Sequence, residues 1–396
     1  KYMKIALIDN SNNNFFAITR YFRDLNIDAH LYLIPNSGLP QFEPQSDTFN
    51  DLRKVDWIRD FPFDCSWRGV FKSKKKLYHQ FKDYDHIIAC GLSVGLLNSV
   101  GIKISMFIPY GADLFNFPFI RIPTLSEPIK FIPRIIMNMY RRYYQVDGIR
   151  SSKIIISNSN WVMAERAIKE LGVKSTNLPR LMIYQDNNKN YDNYWSFMDA
   201  YDFTIFSHTR HLWKTNSDPS EDFFENGGMK RNDKLIKAFS IIVNKAYFKK
   251  PCLILFDYGT DVDHSKSLIK SLNIQEYVRW EPMMYRKNIL IGMKKATFVA
   301  DQFRKHMSAT SAGSTNEALS VGVPIISNTD GAIYDKDGPF YGAPILDCLE
   351  IDQIVGIIDD YYNDKDKYIE IGLEGKKWFD NNLGYGLAKK YLELLN

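Results

Sequence analysis

The chain has 396 residues, which is more than one hydrophobic core usually supports, so we expect two domains. Hydrophobic residues (45%) and charged residues (24%) occur in the proportions of a soluble globular protein. The net charge of +5 suits an anionic ligand or surface and does not require nucleic acid. No apolar run reaches the roughly 18 residues of a membrane-spanning helix. The opening "KYMKIALID" reads as a strand rather than a signal peptide, so we expect a cytoplasmic protein.

Four cysteines are spread along the chain, at Cys65, Cys90, Cys252 and Cys348, without a CxxC pair or a histidine cluster. This spacing favours buried free thiols in a reducing compartment over disulfides or a metal site.

The first half of the chain alternates short apolar runs with helical patterns. "MKIALID", the helix-like "FFAITRYFRDLNI" and "AHLYLI" form a βαβ unit. "HIIACG", "ISMFIPYG" and "KIIISNS" follow, each ending in Gly, Ser or Asn. Such runs are typical of buried parallel strands that deliver loops to one edge of a sheet.

The same alternation begins again after about residue 200. "YDFTIFSHT", "PCLILFDYG", "YVRWEP", "ATFVADQF" and "VPIISNT" read as strands, separated by helical stretches such as "KRNDKLIKAFSIIVNK". Two successive α/β sets predict two Rossmann-like halves with a cleft between them, joined by a polar linker near residues 185–202.

The first strand-to-helix turn, "DNSNNNFF", lacks the GxGxxG of a dinucleotide site, which disfavours a nicotinamide dehydrogenase. Asparagine tolerates left-handed backbone geometry and carries amide donors, so Asn13 and Asn14 could form a ligand loop without glycine. A turn that simply favours asparagine explains the run as well.

The stretch "SAGSTNEALSVGVPII" (311–326) places small residues ahead of, or within, the first turn of a helix that begins near "NEAL". Free backbone N–H groups and the helix dipole would attract a phosphate there, and small side chains would let it approach. Glu317, expected in the first turn, could accept hydrogen bonds from ribose hydroxyls. A capping Ser or Thr with a helix-stabilising glutamate is the structural alternative.

"STNEALSVGVPII" resembles the "EAxxxGxPVI" segment of retaining glycosyltransferases of the two-Rossmann GT-B fold, the glycosyltransferase family 4 group. The likeness extends through "GTDVDHSKSLIKSLNIQEYVRWEPMMYRKNIL" and "ATFVADQF", which resemble bacterial members that build surface polysaccharides. "SHTRHLWK" followed by "MKRNDKLIKAF" resembles their Arg-then-Lys arrangement, and "PYGADL" resembles their "HGxDL". The resemblance implies an acceptor-side domain at 1–195, a nucleotide-sugar domain at 200–379, and a C-terminal helix (380–396) that crosses back to the first domain.

The resemblance also implies roles for individual residues. Arg210 and Lys230 would hold the diphosphate of the donor and, as fixed cations, would replace a metal ion as the stabiliser of the leaving group. Glu317 would bind the ribose. The first-turn residues Gly313, Ser314 and Thr315 would meet the phosphates.

The turn "WEPMM" (280–284) would flank the base through backbone groups and Pro282 or Met283. Many family members carry Glu-x7-Glu, but the position eight before Glu317 is Ala309. The resemblance therefore leaves the sugar-side role to Asp301, to Gln302, or to backbone groups of the 303–313 loop.

In "PYGADL", Tyr110 stands where the family often has histidine. Asp113 follows the tight turn at Gly111 and could orient the acceptor hydroxyl, contact the donor sugar, or serve as an N-cap. We group Tyr110 and Gly111 with the asparagine turn as an acceptor or donor loop.

The segment 130–150 carries apolar side chains at helical spacing, with arginines largely off that stripe. Pro133 suits the first turn of a helix. A basic amphipathic helix can rest on anionic lipid or receive a lipid-linked acceptor, and a helix that faces the core with a wet basic side fits equally.

The sequence predicts a glycosyltransferase that moves a sugar from a nucleotide-diphosphate donor, of UDP or GDP type, to a hydroxyl acceptor on a glycan or lipid-linked glycan. Retention follows from the resemblance alone, and neither a metal nor another cofactor is implied. Asp113, Arg210 and Lys230 are the predicted catalytic residues. A sugar-nucleotide 2-epimerase on the same fold, or a binding protein without turnover, are the alternatives.

Overall fold

The computed structural model describes residues 3–34, 43–52, 55–62, 74–120, 132–157, 162–184, 186, 193–214, 230–304 and 313–396. The chain divides into two compact units. The first comprises Lys1–Tyr184 with Leu383–Asn396, and the second comprises Gln185–Asn382.

The first unit contains a seven-stranded parallel sheet in the order β3-β2-β1-β4-β5-β6-β7. Its strands are β1 (Lys4–Ile8), β2 (Asp28–Leu33), β3 (Ile58–Asp60), β4 (His86–Ala89), β5 (Met106–Phe107), β6 (Ile154–Ser157) and β7 (Thr176–Asn177). The central strand β1 has the sequence KIALI, and its apolar residues 5–8 are fully buried because helices cover both sheet faces.

The helices of the first unit connect these parallel strands. They are α1 (Asn14–Asp24), α2 (Lys74–Phe81), α3 (Ser93–Asn98), α4 (Ala112–Phe115), α5 (Ile132–Met139), a π-helix (Tyr140–Tyr144), α6 (Gln145–Ser151) and α7 (Val162–Leu171). Three-residue 3₁₀ turns lie at Ser11–Asn13, Pro44–Ser46 and Phe117–Phe119.

The second unit contains a six-stranded parallel sheet in the order β10-β9-β8-β11-β12-β13. Its strands are β8 (Phe203–Ser207), β9 (Pro251–Phe256), β10 (Val278–Glu281), β11 (Phe298–Ala300), β12 (Ile325–Ser327) and β13 (Leu346–Asp347). Its helices are a 3₁₀ helix (Asn193–Ala200), α8 (Asn232–Asn244), α9 (Val262–Ser271), a 3₁₀ turn (Gln275–Tyr277), α10 (Arg286–Lys295), α11 (Gly313–Val321), α12 (Ile351–Asn363) and α13 (Lys365–Asn382). The prediction of two parallel α/β domains is confirmed.

The last helix, α14 (Tyr385–Leu395), packs on the first unit. The buried Tyr391 hydroxyl donates to the carbonyl of Pro179 at 2.6 Å and accepts from the N–H of Leu181 at 3.3 Å. The rings of Tyr385 and Tyr21, on α14 and α1, lie 4.7 Å apart. The chain end is thus anchored to the first unit by polar and aromatic contacts.

Part of the expected linker is ordered structure instead. The 3₁₀ helix Asn193–Ala200 buries Trp195 and Met198 in the second unit. The Trp195 indole donates to the carbonyl of Asn288 at 2.8 Å. The polar appearance of 185–202 concealed this segment because only two of its side chains enter the core.

The described part of the amphipathic segment, from residue 132, forms α5 and the π-helix, and half of its apolar stripe is exposed rather than packed on the core. Ile132, Met139 and Tyr143 are 46%, 43% and 60% exposed, whereas the residue that α5 buries is Asn138. The expectation that the stripe faces the core is therefore wrong for these three side chains. Within the described residues, no helix has the length and apolar content needed to cross a bilayer.

The three described cysteines, at positions 90, 252 and 348, are buried free thiols as predicted, and Cys65 lies outside the described residues.

The strand order sets where a ligand would bind in each unit. In both sheets the chain runs outward from a central strand and then returns to that strand's other side, between β1 and β4 and between β8 and β11. Ligands of doubly wound sheets bind outside the carboxyl ends of the strands at this switch point.

Candidate functional site

The switch point of the second unit lies between β8 and β11. Arg210 and Lys230 both belong to the connection that leaves β8, Arg210 just after the strand and Lys230 two residues before α8 begins at Asn232. Lys230 links this connection to the segment after β11, because its N–H donates to the carbonyl of Leu212 at 2.6 Å and its own carbonyl accepts from the N–H of Phe303 at 3.1 Å. The two predicted diphosphate ligands therefore belong to one edge of this sheet.

Several cations meet around the Lys230 side chain. Its ammonium donates to the amide oxygen of Gln302 at 2.6 Å. Burial lowers the pKa of Lys230, Asp301 opposes this shift, and the nearby cations Arg304 and Arg210 lower the pKa further. Burial and the repulsion from like charges destabilise this ammonium, and a bound anion would offset that repulsion.

Arg304 is the third cation of this group, and sequence reasoning missed it. Its guanidinium is partly buried, and among the described residues its Nε and Nη1 atoms have no hydrogen-bond partner. Burial lowers the pKa of Arg304, and the acids close enough to oppose this are Asp301 and Asp330. The position could have been found from sequence, because it follows the β11 strand end that led to Asp301 and Gln302.

Side chains at the start of α9 hold the loop that carries Arg210. The carboxylate of Asp261 accepts from the N–H groups of Trp213 and Lys214 at 2.6 and 2.7 Å. The buried His211 ring contacts the Ser265 hydroxyl at 2.8 Å, and burial lowers the pKa of His211 to about 4. A neutral, buried histidine and an aspartate clamp thus fix the segment on which Arg210 stands.

Helix α11 begins at Gly313, so Gly313, Ser314 and Thr315 form its first turn, whose N–H groups have no partner within the helix. The Thr315 hydroxyl donates to the carboxylate of Asp301 at 2.7 Å, which ties the start of α11 to the end of β11. Because α11 starts three residues before "NEAL", Glu317 lies in the second turn, and its expected first-turn position is wrong.

Glu317 is buried and its carboxylate already has two partners. Arg286 Nε lies 3.0 Å from Oε1, and His208 Nε2 lies 2.8 Å from Oε2. Burial by itself would raise the pKa of Glu317, but His208 and Arg286 hold it below its usual range. These contacts join α11, α10 and the loop after β8. The sequence analysis did not predict His208 or Arg286 as partners, because both are distant from Glu317 along the chain. The ribose-binding role of Glu317 stays a prediction.

The turn after β10 presents Pro282 and Met283 at the surface, and Met283 is 69% exposed. The start of the turn is fixed by the buried Glu281, which pairs with Arg279 at 2.5 Å and accepts a hydrogen bond from Tyr194. The turn is therefore anchored while the predicted base-flanking side chains remain accessible.

The switch point of the first unit gathers the predicted acceptor-side residues. The buried carboxylate of Asp113 accepts from the N–H groups of Gly91 (2.9 Å), Tyr110 (3.0 Å) and Gly111 (2.9 Å). Gly111 has a φ of 145° and occupies the N-cap position of α4, so the N-cap alternative for Asp113 is wrong. Asp113 instead bridges the loops after β4 and β5.

The asparagine turn after β1 uses left-handed backbone geometry at Asn12 and Asn13, with φ values of 52° and 58°. The Asn13 amide is engaged internally. It accepts from Asn10 at 2.6 Å and donates to the Ser46 hydroxyl at 2.6 Å and to the Glu43 carbonyl at 2.8 Å. Asn13 thus has a structural role in holding the turn.

Asn14, also predicted as a loop ligand, begins α1 and is buried. Position 309, the expected site of the missing glutamate, lies outside the described residues. Among the described residues, no group of three or more His, Cys, Asp or Glu side chains could hold a metal ion.

No protein-family model and no curated protein sequence matches the chain. Solved structures do match it along its whole length. Anabaena HepE in complex with UDP shares 14% identity at a TM-score of 0.59, over 99% of this chain and 98% of HepE. An alpha-glucosyltransferase in complex with UDP and DNA shares 11% identity at a TM-score of 0.60, over 99% of both chains. The chain has the GT-B fold.

A third GT-B neighbour has a different activity. The UDP-GlcNAc 2-epimerase from Methanocaldococcus jannaschii shares 13% identity at a TM-score of 0.51, over 100% of this chain and 99% of the epimerase. Identities this low establish the GT-B fold alone. The reaction of this chain must therefore be argued from its own residues.

Proposed function

We propose that the chain is a glycosyltransferase that takes a sugar from a nucleotide-diphosphate donor and transfers it to a hydroxyl acceptor. One observation carries the proposal: the three cations Arg210, Lys230 and Arg304 gather at the switch point of the second unit, where the neighbouring carboxylates are Asp301 and Asp330. A buried excess of positive charge at the carboxyl edge of a parallel sheet is suited to an anionic ligand.

A diphosphate matches this chemistry better than a single carboxylate would. Arg304 offers two buried N–H groups that lack a described partner, and the first turn of α11, at Gly313–Thr315, adds its backbone N–H groups and the positive end of the helix dipole. The bound UDP of HepE and of the alpha-glucosyltransferase supports a nucleoside diphosphate as this anion.

The same groups would stabilise the departing phosphate. As the bond from the sugar to the phosphate breaks, negative charge grows on the diphosphate, and fixed cations interact more strongly with it than with the bound donor. Lys230 is held for this role by Gln302, and Arg210 by its clamped loop. The proposed reaction needs no metal ion or other cofactor. Retention of the anomeric configuration is proposed from the family resemblance alone.

The ribose and the base would contact the neighbouring elements. Glu317, held by Arg286 and His208, presents oxygens that can accept from ribose hydroxyls. Pro282 and Met283 are exposed on an anchored turn and would flank the base.

The acceptor is proposed to be a glycan or lipid-linked glycan. The exposed apolar side chains Ile132, Met139 and Tyr143 lie near the exposed Arg134 and Arg142. This composition supports peripheral contact with anionic lipid on the cytoplasmic face of a membrane.

Binding of UDP, GDP and UDP-glucose by titration calorimetry tests the donor site. Lys230→Gln and Arg304→Gln are expected to weaken the preferred nucleotide by about 10- to 100-fold each, since a hydrogen bond to a charged group contributes about 1.5–3 kcal/mol. Lys245→Gln is the matched control, because Lys245 pairs with Asp359 at the far end of α8. Unchanged affinity in both site variants would refute the phosphate assignment.

The epimerase neighbour supports a second candidate reaction at the same site. Product analysis separates the two. Incubation with UDP-N-acetylglucosamine yields the 2-epimer if the chain is an epimerase, and free or transferred sugar with UDP if it is a glycosyltransferase. Nucleotide binding without either product would indicate a protein that kept the site and lost turnover.

A further inference from the structure

Two buried polar side chains at the carboxyl edge of the second sheet each have an atom without a hydrogen-bond partner. Asp301 directly follows β11 and is 2% exposed, and Thr329 lies two residues beyond the end of β12 and is 9% exposed. Among the described residues, nothing hydrogen-bonds to Asp301 Oδ1 or to Thr329 Oγ1. Because buried polar atoms in folded proteins are nearly always paired, these two atoms indicate a place where a further polar group binds.

The two side chains belong to chain segments that run side by side. Strands β11 and β12 pair in parallel, and the N–H of Asn328 donates to the carbonyl of Gln302 at 2.8 Å, beyond the end of both strands. The side-chain amide of Asn328 also donates to the carbonyl of Arg304. The segments 301–304 and 327–330 therefore stay adjacent as they leave the sheet.

A charged side chain connects the surroundings of the two unpaired atoms. The Arg304 guanidinium interacts electrostatically with the carboxylates of Asp301 and Asp330, and Asp330 is the residue that follows Thr329. Asp301 Oδ1 and Thr329 Oγ1 thus border one region of the second unit, at the switch point of its sheet.

Contacts to neighbouring elements fix both residues while leaving these atoms unpaired. The Thr315 hydroxyl donates to Oδ2 of Asp301 at 2.7 Å, which orients the carboxylate. The backbone N–H of Thr329 donates to Asp347 at 2.7 Å, and its carbonyl accepts from the N–H of Ala332 at 3.0 Å. The two atoms are therefore held in place before any ligand binds.

The chemistry of these atoms suits a sugar hydroxyl better than a phosphate. The Asp301 carboxylate lies near Lys230 and Arg304, the cations assigned to the diphosphate, but it repels phosphate oxygens itself. Its Oδ1 therefore requires a neutral group that donates, whereas the Thr329 hydroxyl can donate or accept. A sugar hydroxyl does both, and the donor's sugar is bonded to the diphosphate. Gln302 offers no free amide oxygen there, because this oxygen accepts from Lys230 at 2.6 Å.

We propose that Asp301 Oδ1 and Thr329 Oγ1 hydrogen-bond hydroxyl groups of the donor's sugar ring, and that they select donors with hydroxyl groups at those positions. The inference rests on the glycosyltransferase function proposed above and names the residues of the second unit that bind the sugar. The competing occupant is a buried water molecule, which would pair with the same atoms without any role in sugar binding.

Titration calorimetry tests the proposal. UDP-glucose, UDP-galactose, UDP-N-acetylglucosamine and GDP-mannose are first compared to find the sugar nucleotide that the wild type prefers. The quantity measured for each variant is the Kd of that sugar nucleotide divided by the Kd of the matching UDP or GDP. Effects on the phosphate, ribose and base contacts, and on folding, cancel in this ratio, so a change in it reports on the sugar.

Asp301→Asn should raise this ratio by about 5- to 10-fold, because a charged acceptor of the sugar hydroxyl is replaced by a neutral one. The affinity for UDP or GDP alone should not fall, since the substitution removes a negative charge beside Lys230 and Arg304. A purely structural role for Asp301 would instead weaken the nucleoside diphosphate and the sugar nucleotide by the same factor.

Thr329→Val removes the hydroxyl and keeps the size of the side chain, so the ratio should rise by about 3- to 10-fold. Thr329→Ser keeps the hydroxyl and should stay close to wild type. The matched control is Asp352→Asn, which removes an exposed carboxylate on α12 of the same unit and should leave the ratio unchanged.

The possible failures are distinguishable. If the wild type binds UDP or GDP and neither Asp301→Asn nor Thr329→Val changes the ratio, the sugar-binding role falls, water is the occupant, and the nucleotide site stands. An equal loss of affinity for both ligands in these variants would likewise overturn the sugar-binding role. If the wild type binds none of the nucleotides or sugar nucleotides, the proposed function falls and the sugar-binding role falls with it.

Discussion

The buried contacts of Glu317 give a prediction whose magnitude follows from the structure. Glu317 is 6% exposed and lies 3.0 Å from Arg286 and 2.8 Å from His208. Glu317→Gln keeps the shape of the side chain and removes its charge. Two charge-assisted contacts contribute about 1.5–3 kcal/mol each, and the amide retains one neutral acceptor. We expect the variant to lose about 3 kcal/mol of unfolding free energy at pH 7.

The pH dependence of this loss has a defined sign. Because the folded-state pKa of Glu317 is lowered, its contribution is fully present above the unfolded value of 4.5 and is lost as the pH falls through the folded value. The difference between wild type and Glu317→Gln should therefore shrink as the pH falls below about 4.5.

Urea unfolding followed by tryptophan fluorescence measures this difference. Four tryptophans report on the second unit, at positions 195, 213, 280 and 378. The matched control is Glu276→Gln, an exposed glutamate in the same unit, which should change stability by less than about 0.5 kcal/mol. If Glu317→Gln costs no more than this control, the contacts to Arg286 and His208 do not hold α11 in place, and the reasoning fails.

Two further substitutions test the packing of the first unit. Tyr391→Phe removes the hydrogen bonds to the Pro179 carbonyl and the Leu181 N–H. It should lower the free energy of unfolding by about 1–3 kcal/mol, because two buried backbone groups lose their partner. A loss below about 0.5 kcal/mol in urea unfolding would contradict the anchoring of α14. Gly91→Ala should lower the free energy of unfolding by at least about 2 kcal/mol in the same assay, because φ of Gly91 is +59° and the added methyl group overlaps the Asp9 carboxyl group. An unchanged free energy of unfolding would show that the Asp9 carboxyl group can move away.

The sheet architecture could be predicted from local sequence. Runs such as IALI and PCLILF are apolar on both faces, which is the pattern of strands covered by helices on both sides, and both lie in interior strands of their sheets. Strand ends in Gly, Ser or Asn marked the carboxyl edge of each sheet, where Asp113 lies in the first unit and Arg210 and Asp301 lie in the second. Helix starts were less certain, as α11 shows, because small residues are compatible with both a loop and a first turn.

The partners of the site residues could not be predicted in the same way. His208 and Arg286 reach Glu317 from positions 109 and 31 residues away, and nothing local in the sequence marks either one. The exposure of Ile132 and Met139 also escaped prediction, since an apolar stripe has the same spacing whether it faces a core or the surface.

By itself, the sequence determined the alternation of strands and helices, the division into two α/β sets and the strand ends at which the candidate site residues lie. These properties depend on periodicity and on turn chemistry, both of which are local. Only the tertiary structure decided that Arg304 joins Arg210 and Lys230, and that Asp9 and Asp113 lie on either side of Gly91. Such neighbours depend on the order of strands in each sheet and on the direction of single side chains, which long-range packing sets.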